Sequence, residues 1–129
     1  MGRSPSRHPT ELELRILKIL WRQSPRLARD VQGALAEEGR ELAKTSVITT
    51  LNTMVGKRYL RRTQQGNTYL FAPRITEAEV AQQVLGDVVD RVFDGSTAAL
   101  LLKLFDVKEI EEEERKDLRR MINRRLKEK

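Results

Sequence analysis

Residues 44–73 read KTSVITTLNTMVGKRYLRRTQQGNTYLFAP, and the spacing of the apolar residues changes halfway through this stretch. Over residues 44–58 apolar side chains recur every three or four positions, which predicts an amphipathic helix. On this helix we expect the core-facing residues to be Val47, Ile48, Leu51, Met54 and Val55. The remaining positions then form an outward face.

The second half of the stretch predicts a β-hairpin. Residues 60–64 and 68–72 are rich in aromatic, β-branched and alternating residues, and they flank Gln65-Gly66-Asn67. Glycine and asparagine tolerate the left-handed backbone that a hairpin loop requires. Pro73 follows the second strand and ends it.

Two more helices precede this stretch. Thr10 and Glu13 form a capping box, which predicts the start of a helix that ends near Gln23. A second helix is expected over residues 27–38, with Gly39 as its stop, and only a short turn separates it from the third. Three helices followed by a hairpin predict a winged helix-turn-helix, a mainly α fold with a small β-hairpin wing.

The outward face of the third helix has an unusual composition. Short hydroxyl and amide side chains are weaker helix formers than the Glu, Lys and Gln of an ordinary solvated face. They can approach base edges in a major groove closely, and a threonine methyl can touch a thymine methyl. The residues in question are Thr45, Ser46, Thr49, Thr50, Asn52 and Thr53. This face predicts sequence-specific recognition of double-stranded DNA, although a merely solvated helix face is the alternative.

Basic residues support this interpretation. Residues 1–75 carry a net charge of +8 and residues 76–129 a net charge of −2, within a total of +6. A basic front half joined to a nearly neutral back half is typical of a polyanion-binding module attached to another unit. The candidate phosphate-binding residues are Lys44, Lys57, Arg61 and Arg62. Because side chains alternate along a strand, we expect only one of the two wing arginines to contact DNA well.

The remainder of the chain reads as helical. Thr76 and Glu79 form a second capping box, and helices are expected over residues 76–93, 97–105 and 108–127. Residues 98–104 are the most apolar stretch of the chain, and one small winged-helix domain cannot cover all these apolar stripes. A second copy of the chain is the expected partner, and two-fold symmetry then predicts a palindromic operator.

These patterns divide the chain into three parts. Residues 1–8 are expected to be a disordered basic tail, residues 9–75 a winged-helix DNA-binding domain, and residues 76–129 a helical dimerisation domain. The leading hypothesis is a homodimeric, sequence-specific transcriptional repressor. A winged-helix regulator gated by a small molecule that binds between the wing and the dimer lobe is the alternative, and a protein-binding adaptor is a third.

Composition excludes several other classes of protein. The chain has no cysteine and a single histidine, His8, so thiolate metal sites, cysteine nucleophiles and histidine relays are not expected. We therefore expect no enzyme, no cofactor and no metal. No apolar run is long enough for a membrane span and no signal peptide is visible, so a cytoplasmic protein without direct membrane binding is predicted.

Four segments, in this order and spacing, resemble the penicillinase repressors, which include β-lactamase, methicillin-resistance and copper-responsive repressors. The segments are Glu11-Leu12-Glu13-Leu14-Arg15-Ile16-Leu17-Lys18-Ile19-Leu20-Trp21, Ala28-Arg29-Asp30-Val31, Thr45-Ser46-Val47-Ile48-Thr49-Thr50-Leu51 and Tyr69-Leu70-Phe71-Ala72-Pro73. The resemblance implies a dimeric repressor with an N-terminal winged helix and a C-terminal helical dimerisation lobe. It also implies relief of repression by cleavage, after a membrane-bound sensor protease is activated.

The chain departs from this family's patterns at three points. It lacks the C-terminal cysteine pair of the copper-responsive members, which excludes copper sensing of that kind. The antibiotic-resistance members are cleaved at an Asn-Phe bond, where this chain has Lys103-Leu104 as the candidate cleavage site. Relatives often carry Arg or Lys at the position of Thr53, so their operator sequence does not transfer to this chain.

Overall fold

The computed structural model describes residues 8–107 and 109–128. Within this part of the chain there are six helices and three short strands. Their bounds are α1 Glu11–Arg22, β1 Arg26–Leu27, α2 Ala28–Glu37, α3 Lys44–Gly56, β2 Leu60–Gln65, β3 Thr68–Pro73, α4 Glu77–Val92, α5 Thr97–Val107 and α6 Glu112–Lys127. The chain divides into two compact units, one ending at Asp87 and one beginning at Val88, so the division falls within α4. The expected disordered tail lies outside the described residues except for His8.

Both predicted capping boxes form. The backbone N–H of Glu13 donates to Thr10 Oγ1 at 3.2 Å, and the Thr10 N–H donates to Glu13 Oε1 at 2.9 Å. Thr76 and Glu79 make the same reciprocal pair at the start of α4, with distances of 3.2 and 3.1 Å. Each box pairs amide groups that the first turn of a helix leaves without an intrahelical partner.

The third helix ends earlier than its apolar pattern predicts. It stops at Gly56, and Arg58 adopts a left-handed backbone with φ of 68°. The N–H of Tyr59 then donates to the carbonyl of Met54 at 2.9 Å, which closes the helix in a Schellman-type turn. This turn redirects the chain into β2 within a few residues of the helix end.

The wing belongs to a three-stranded antiparallel sheet with the order β1-β3-β2. The two-residue strand β1, which the sequence pattern did not reveal, pairs Arg26 with Phe71. In the hairpin, Gln65 pairs with Thr68. The loop therefore has two residues rather than three, and it contains Gly66 at a φ of 60°.

One apolar core holds the first unit together. It collects side chains from α1, α2, α3, the sheet and the start of α4. The fully buried members include Leu17, Leu20, Leu35, Leu51 and Leu60. The prediction that Ile48 faces the core is wrong, because this residue is half-buried and lies outside the cluster.

Trp21 connects two parts of the first unit. Its indole Nε1–H donates to the carbonyl of Ile75 at 2.8 Å, while part of the ring packs against the core. The residue is half-buried, so its apolar body is covered while its polar edge is hydrogen-bonded. This contact links the end of α1 to the segment that leads into α4.

The second unit is helical and leaves many of its large apolar side chains exposed. Neither α5 nor α6 contains a buried residue, and Leu102 is 70% exposed. Ser96 Oγ accepts the N–H of Ala99 at 3.1 Å, as expected for the cap of α5. The last helix begins at Glu112 rather than at 108, and residue 108 lies outside the described residues. No helix of the described residues is long and apolar enough to cross a membrane.

Candidate nucleic-acid interface

The outward face of α3 is open to solvent, as its composition predicts. Five of the six predicted residues are exposed, namely Thr45, Ser46, Thr49, Asn52 and Thr53. Thr50 is half-buried, and its hydroxyl donates to the carbonyl of Ser46 at 2.9 Å. That bond is internal to the helix, so the Thr50 hydroxyl proton is engaged there.

The two wing arginines lie on opposite faces of β2. Arg62 pairs with Phe71 in the hairpin register, and Phe71 is buried against the core near α3. Adjacent side chains on a strand alternate between faces, so Arg61 lies on the other side of the ladder. Both arginines are exposed, and only Arg62 reaches back to α3.

Arg62 makes two contacts that connect the wing to α3. Its Nη1 donates to Asn52 Oδ1 at 2.6 Å, and its guanidinium carbon lies 4.5 Å from the centre of the Tyr69 ring. Arg62 and Asn52 are predicted from the sequence as separate contacts to DNA, whereas no sequence pattern points to Tyr69. Arg62 and Tyr69 are diagonal neighbours in the hairpin, a relation that becomes visible once the loop is read as two residues.

A cleft of about 570 Å³ lies between the start of α2, α3 and the wing. Its walls include Ile48, Tyr69 and Phe71, with Arg29 and Lys44 at its basic side. Both basic residues stand in the first turn of a helix, Arg29 in α2 and Lys44 in α3. Arg29 was not among the predicted phosphate-binding residues, and its proximity to α3 depends on the packing of α2.

Lys57 is engaged within the protein. Its ammonium donates to Glu13 Oε2 at 2.9 Å, and the Glu13 side chain is only 4% exposed. Lys57 also lies 5.9 Å from the ring centre of Tyr59. Burial raises the pKa of the Tyr59 phenol above its usual value, the Glu13 carboxylate raises this pKa further, and the Lys57 charge acts in the opposite direction. Lys57 is thus the counterion of a buried carboxylate, a role that its position at a helix end did not reveal.

The candidate cleavage site lies within a helix. Lys103 and Leu104 are in the middle of α5, where Lys103 Nζ lies 3.7 Å from Asp106 Oδ2. The Leu104 side chain is 43% exposed. Among the described residues, no group of three or more His, Asp or Glu side chains is arranged to hold a metal ion.

Two similar solved structures are the AntR antimony-specific transcriptional repressor and a variant of ZitR from Lactococcus lactis. AntR has 20% identity and a TM-score of 0.44, with 67% of this chain and 73% of AntR covered. ZitR has 15% identity and a TM-score of 0.45, with 99% of this chain and 81% of ZitR covered.

None of the curated proteins matches the chain. A family model described as penicillinase repressor matches residues 9–124, which include all the helices of the winged-helix unit, the wing, α4, α5 and most of α6. The chain therefore belongs to the penicillinase repressor family and is a transcriptional repressor of the winged-helix class.

Proposed function

We propose that the protein represses transcription by binding, as a homodimer, to a specific palindromic DNA operator. The observation that carries this proposal is the exposed hydroxyl and amide face of α3, which stands beside the Arg62 side chain of the wing. Membership of a family of repressors supports it. The basic charge of the winged-helix half is consistent with a polyanionic partner.

In this proposal α3 enters the major groove. The residues that face the bases are Thr45, Ser46, Thr49, Thr50, Asn52 and Thr53, whose short side chains allow a close approach. Phosphates are contacted by the basic residues around this face, which are Arg29, Lys44 and Arg62, whereas Arg61 lies on the opposite face of β2. Lys57 is left out of the interface because its ammonium neutralises Glu13.

The dimer is proposed to form through residues of the second unit. Within the described part of that unit, no other element covers its exposed apolar side chains, since neither α5 nor α6 contains a buried residue. Two-fold dimers dominate among homo-oligomers, and two copies of α3 would read half-sites about one helical turn apart. Such a repressor acts on DNA in the cytoplasm.

Induction by proteolysis is part of the same proposal. A membrane-bound sensor protease would cut the chain between Lys103 and Leu104. This bond lies inside α5, so the helix must open locally before a protease can bind the backbone in an extended form. Cutting α5 would remove α6 from the dimer lobe. The two copies of α3, each of which binds one half-site, would then separate.

Selection of bound duplexes from a random pool tests the DNA-binding proposal, with fluorescence anisotropy of the selected sequence over a series of salt concentrations. We expect a palindrome with two half-sites, bound far more tightly than a scrambled duplex, and an affinity that falls steeply with salt. Thr49→Ala should reduce the preference for the selected sequence by roughly tenfold, which is typical of one lost base contact. Gln82→Ala, at an exposed position of α4 in the first unit, is the control and should bind like the wild type.

Two outcomes would contradict the proposal. One is weak binding that does not depend on sequence, which would leave the basic half as a general polyanion surface. The other is an unchanged sequence preference in Thr49→Ala, which would mean that α3 is not the recognition element.

A further inference from the structure

Arg62 of the wing is hydrogen-bonded to α3 and does not merely lie near it. The Arg62 Nη1 to Asn52 Oδ1 distance of 2.6 Å is that of a short hydrogen bond between a charged donor and a neutral acceptor. Asn52 is exposed on α3 and Arg62 is exposed on β2, ten residues further along the chain. The bond therefore fixes the wing arginine against the recognition helix at a point open to solvent.

Tyr69 holds the same guanidinium from another direction. The Arg62 guanidinium carbon lies 4.5 Å from the ring centre, within the range of a cation–π contact. Stacking covers a face of the planar guanidinium and leaves its edges, where the N–H donors point, free to bind. One donor is taken by Asn52, and the others remain for an anionic oxygen pair.

We propose that Asn52 and Tyr69 are positioning residues that hold Arg62 ready to grip a DNA phosphate at the edge of the groove that α3 enters. The proposal rests on the proposed function and refines it at two residues. In this refinement Asn52 positions Arg62 and does not contact bases. Tyr69 belongs to the interface although it contributes no charge. Phosphate is the proposed ligand because the guanidinium keeps a pair of parallel donors after its bond to Asn52, and such a pair matches two anionic oxygens.

The physical benefit is preorganisation. A free arginine side chain samples many rotamers, and immobilising it on binding costs affinity. Holding it beforehand removes most of this cost, so loss of Tyr69 should weaken DNA binding although the number of charges stays the same. We expect Tyr69→Leu to lower affinity by about two- to tenfold for each protomer, for operator and scrambled DNA alike.

Salt dependence separates positioning from charge. The slope of log affinity against log salt follows the number of phosphates neutralised. Arg62→Gln should therefore lower both the affinity and the slope, the latter by about 0.9 for each protomer. Tyr69→Leu should lower the affinity with an unchanged slope, and Tyr69→Phe, which keeps the ring, should bind like the wild type.

A double-mutant cycle completes the test, with anisotropy on the selected operator and thermal unfolding to confirm that every variant is folded. Tyr69→Leu should have no further effect in the Arg62→Gln background, because there is no guanidinium left to hold. Asn52→Ala should weaken all duplexes by the same factor and preserve the ranking of operator variants. Thr49→Ala is the comparison, since it should change that ranking.

The outcomes distinguish this inference from the function on which it rests. If the wild type binds no specific DNA, both fail. If the wild type binds its operator and Tyr69→Leu binds equally well, or loses as much affinity in the Arg62→Gln background as in the wild type, only the positioning role is overturned. A change of base preference in Asn52→Ala would mean that Asn52 contacts bases, and it would overturn the positioning role proposed for this residue.

Discussion

Glu13 shows how one side chain can link separate parts of a small fold. One carboxylate oxygen accepts the N–H of Thr10 and thereby caps α1, and the other accepts the ammonium of Lys57 just beyond α3. The side chain is almost fully buried, so its charge has lost most of its hydration. The cap and the ion pair together replace that hydration, and they tie the end of α3 to the start of α1.

Removing the ammonium should destabilise the protein. We expect Lys57→Met to lower the free energy of unfolding by about 2 kcal/mol, because it leaves a buried carboxylate without its counterion while keeping the aliphatic stem. Urea unfolding at neutral pH measures the effect. Lys44→Met, at the exposed start of α3, is the control and should change stability by less than about 0.5 kcal/mol.

The double variant Glu13→Gln/Lys57→Met distinguishes loss of the ion pair from loss of packing. Glutamine keeps an oxygen for the Thr10 N–H and carries no charge, so the double variant should recover most of the lost stability. A single Lys57→Met variant as stable as the wild type would contradict the role assigned to this pair.

At the scale of elements, α2 and the turn that follows it contain one glycine each, in different situations. Gly33 lies in the exposed helix interior, and a Cβ built there would meet nothing within 4 Å. Gly39 follows the helix with a φ of 86°, where the N–H of Arg40 donates to the carbonyl of Leu35 at 2.9 Å. The second glycine permits the left-handed turn toward α3, whereas the first only weakens the helix.

Substitution by alanine should therefore have opposite effects at the two sites. Gly33→Ala should raise the free energy of unfolding by about 1 kcal/mol, since alanine is the better helix former and has room for its methyl group. Gly39→Ala should lower it by about 1 kcal/mol because of the left-handed backbone. Thermal unfolding monitored by circular dichroism measures both, and a stabilised Gly39→Ala would contradict this account of the turn.

At the scale of the whole molecule, apolar side chains are distributed unevenly between the two units. The first unit buries its large apolar residues in one core. In the second unit Leu102, Phe105 and Val107 are each more than half exposed, and all three belong to α5. A stretch this apolar is expected to be covered in solution, in keeping with the proposed homodimer.

Charge placed on this surface should dissociate the proposed dimer. We expect the wild type to sediment at twice the mass of the chain and L102E/F105E to sediment as a monomer, since burying two carboxylates costs far more than the interface gains there. Operator binding should weaken with it, because each half-site is then bound independently. Sedimentation equilibrium and anisotropy measure the two effects.

Asn123→Glu, on the polar side of α6, is the control for added charge and should remain a dimer. A wild type that sediments as a monomer at micromolar concentration, or a variant L102E/F105E that remains a dimer, would contradict the proposed interface. The circular dichroism of the variant should match that of the wild type if the helices of the first unit are unaffected.

Local patterns in the sequence determined the type and order of most elements. The two capping boxes, the 3.6-residue apolar period of α3 and the Gly66-Asn67 turn each act within a few residues, so they can be read directly. The winged-helix class follows from their order. The exposed face of α3 was predicted for the same reason, since the buried positions of an amphipathic helix define the exposed ones.

Tertiary structure alone decided which polar groups of different elements meet. The pairing of Lys57 with Glu13 joins residues 44 positions apart, and strand β1 exists only because Arg26 lies beside Phe71. The contact of Arg62 with Asn52 and Tyr69 depends on the hairpin register and on how the wing packs against α3. No periodic sequence pattern predicts such contacts. Burial of the shared core brings the partners together, whereas a sequence pattern reflects only the backbone geometry within one element.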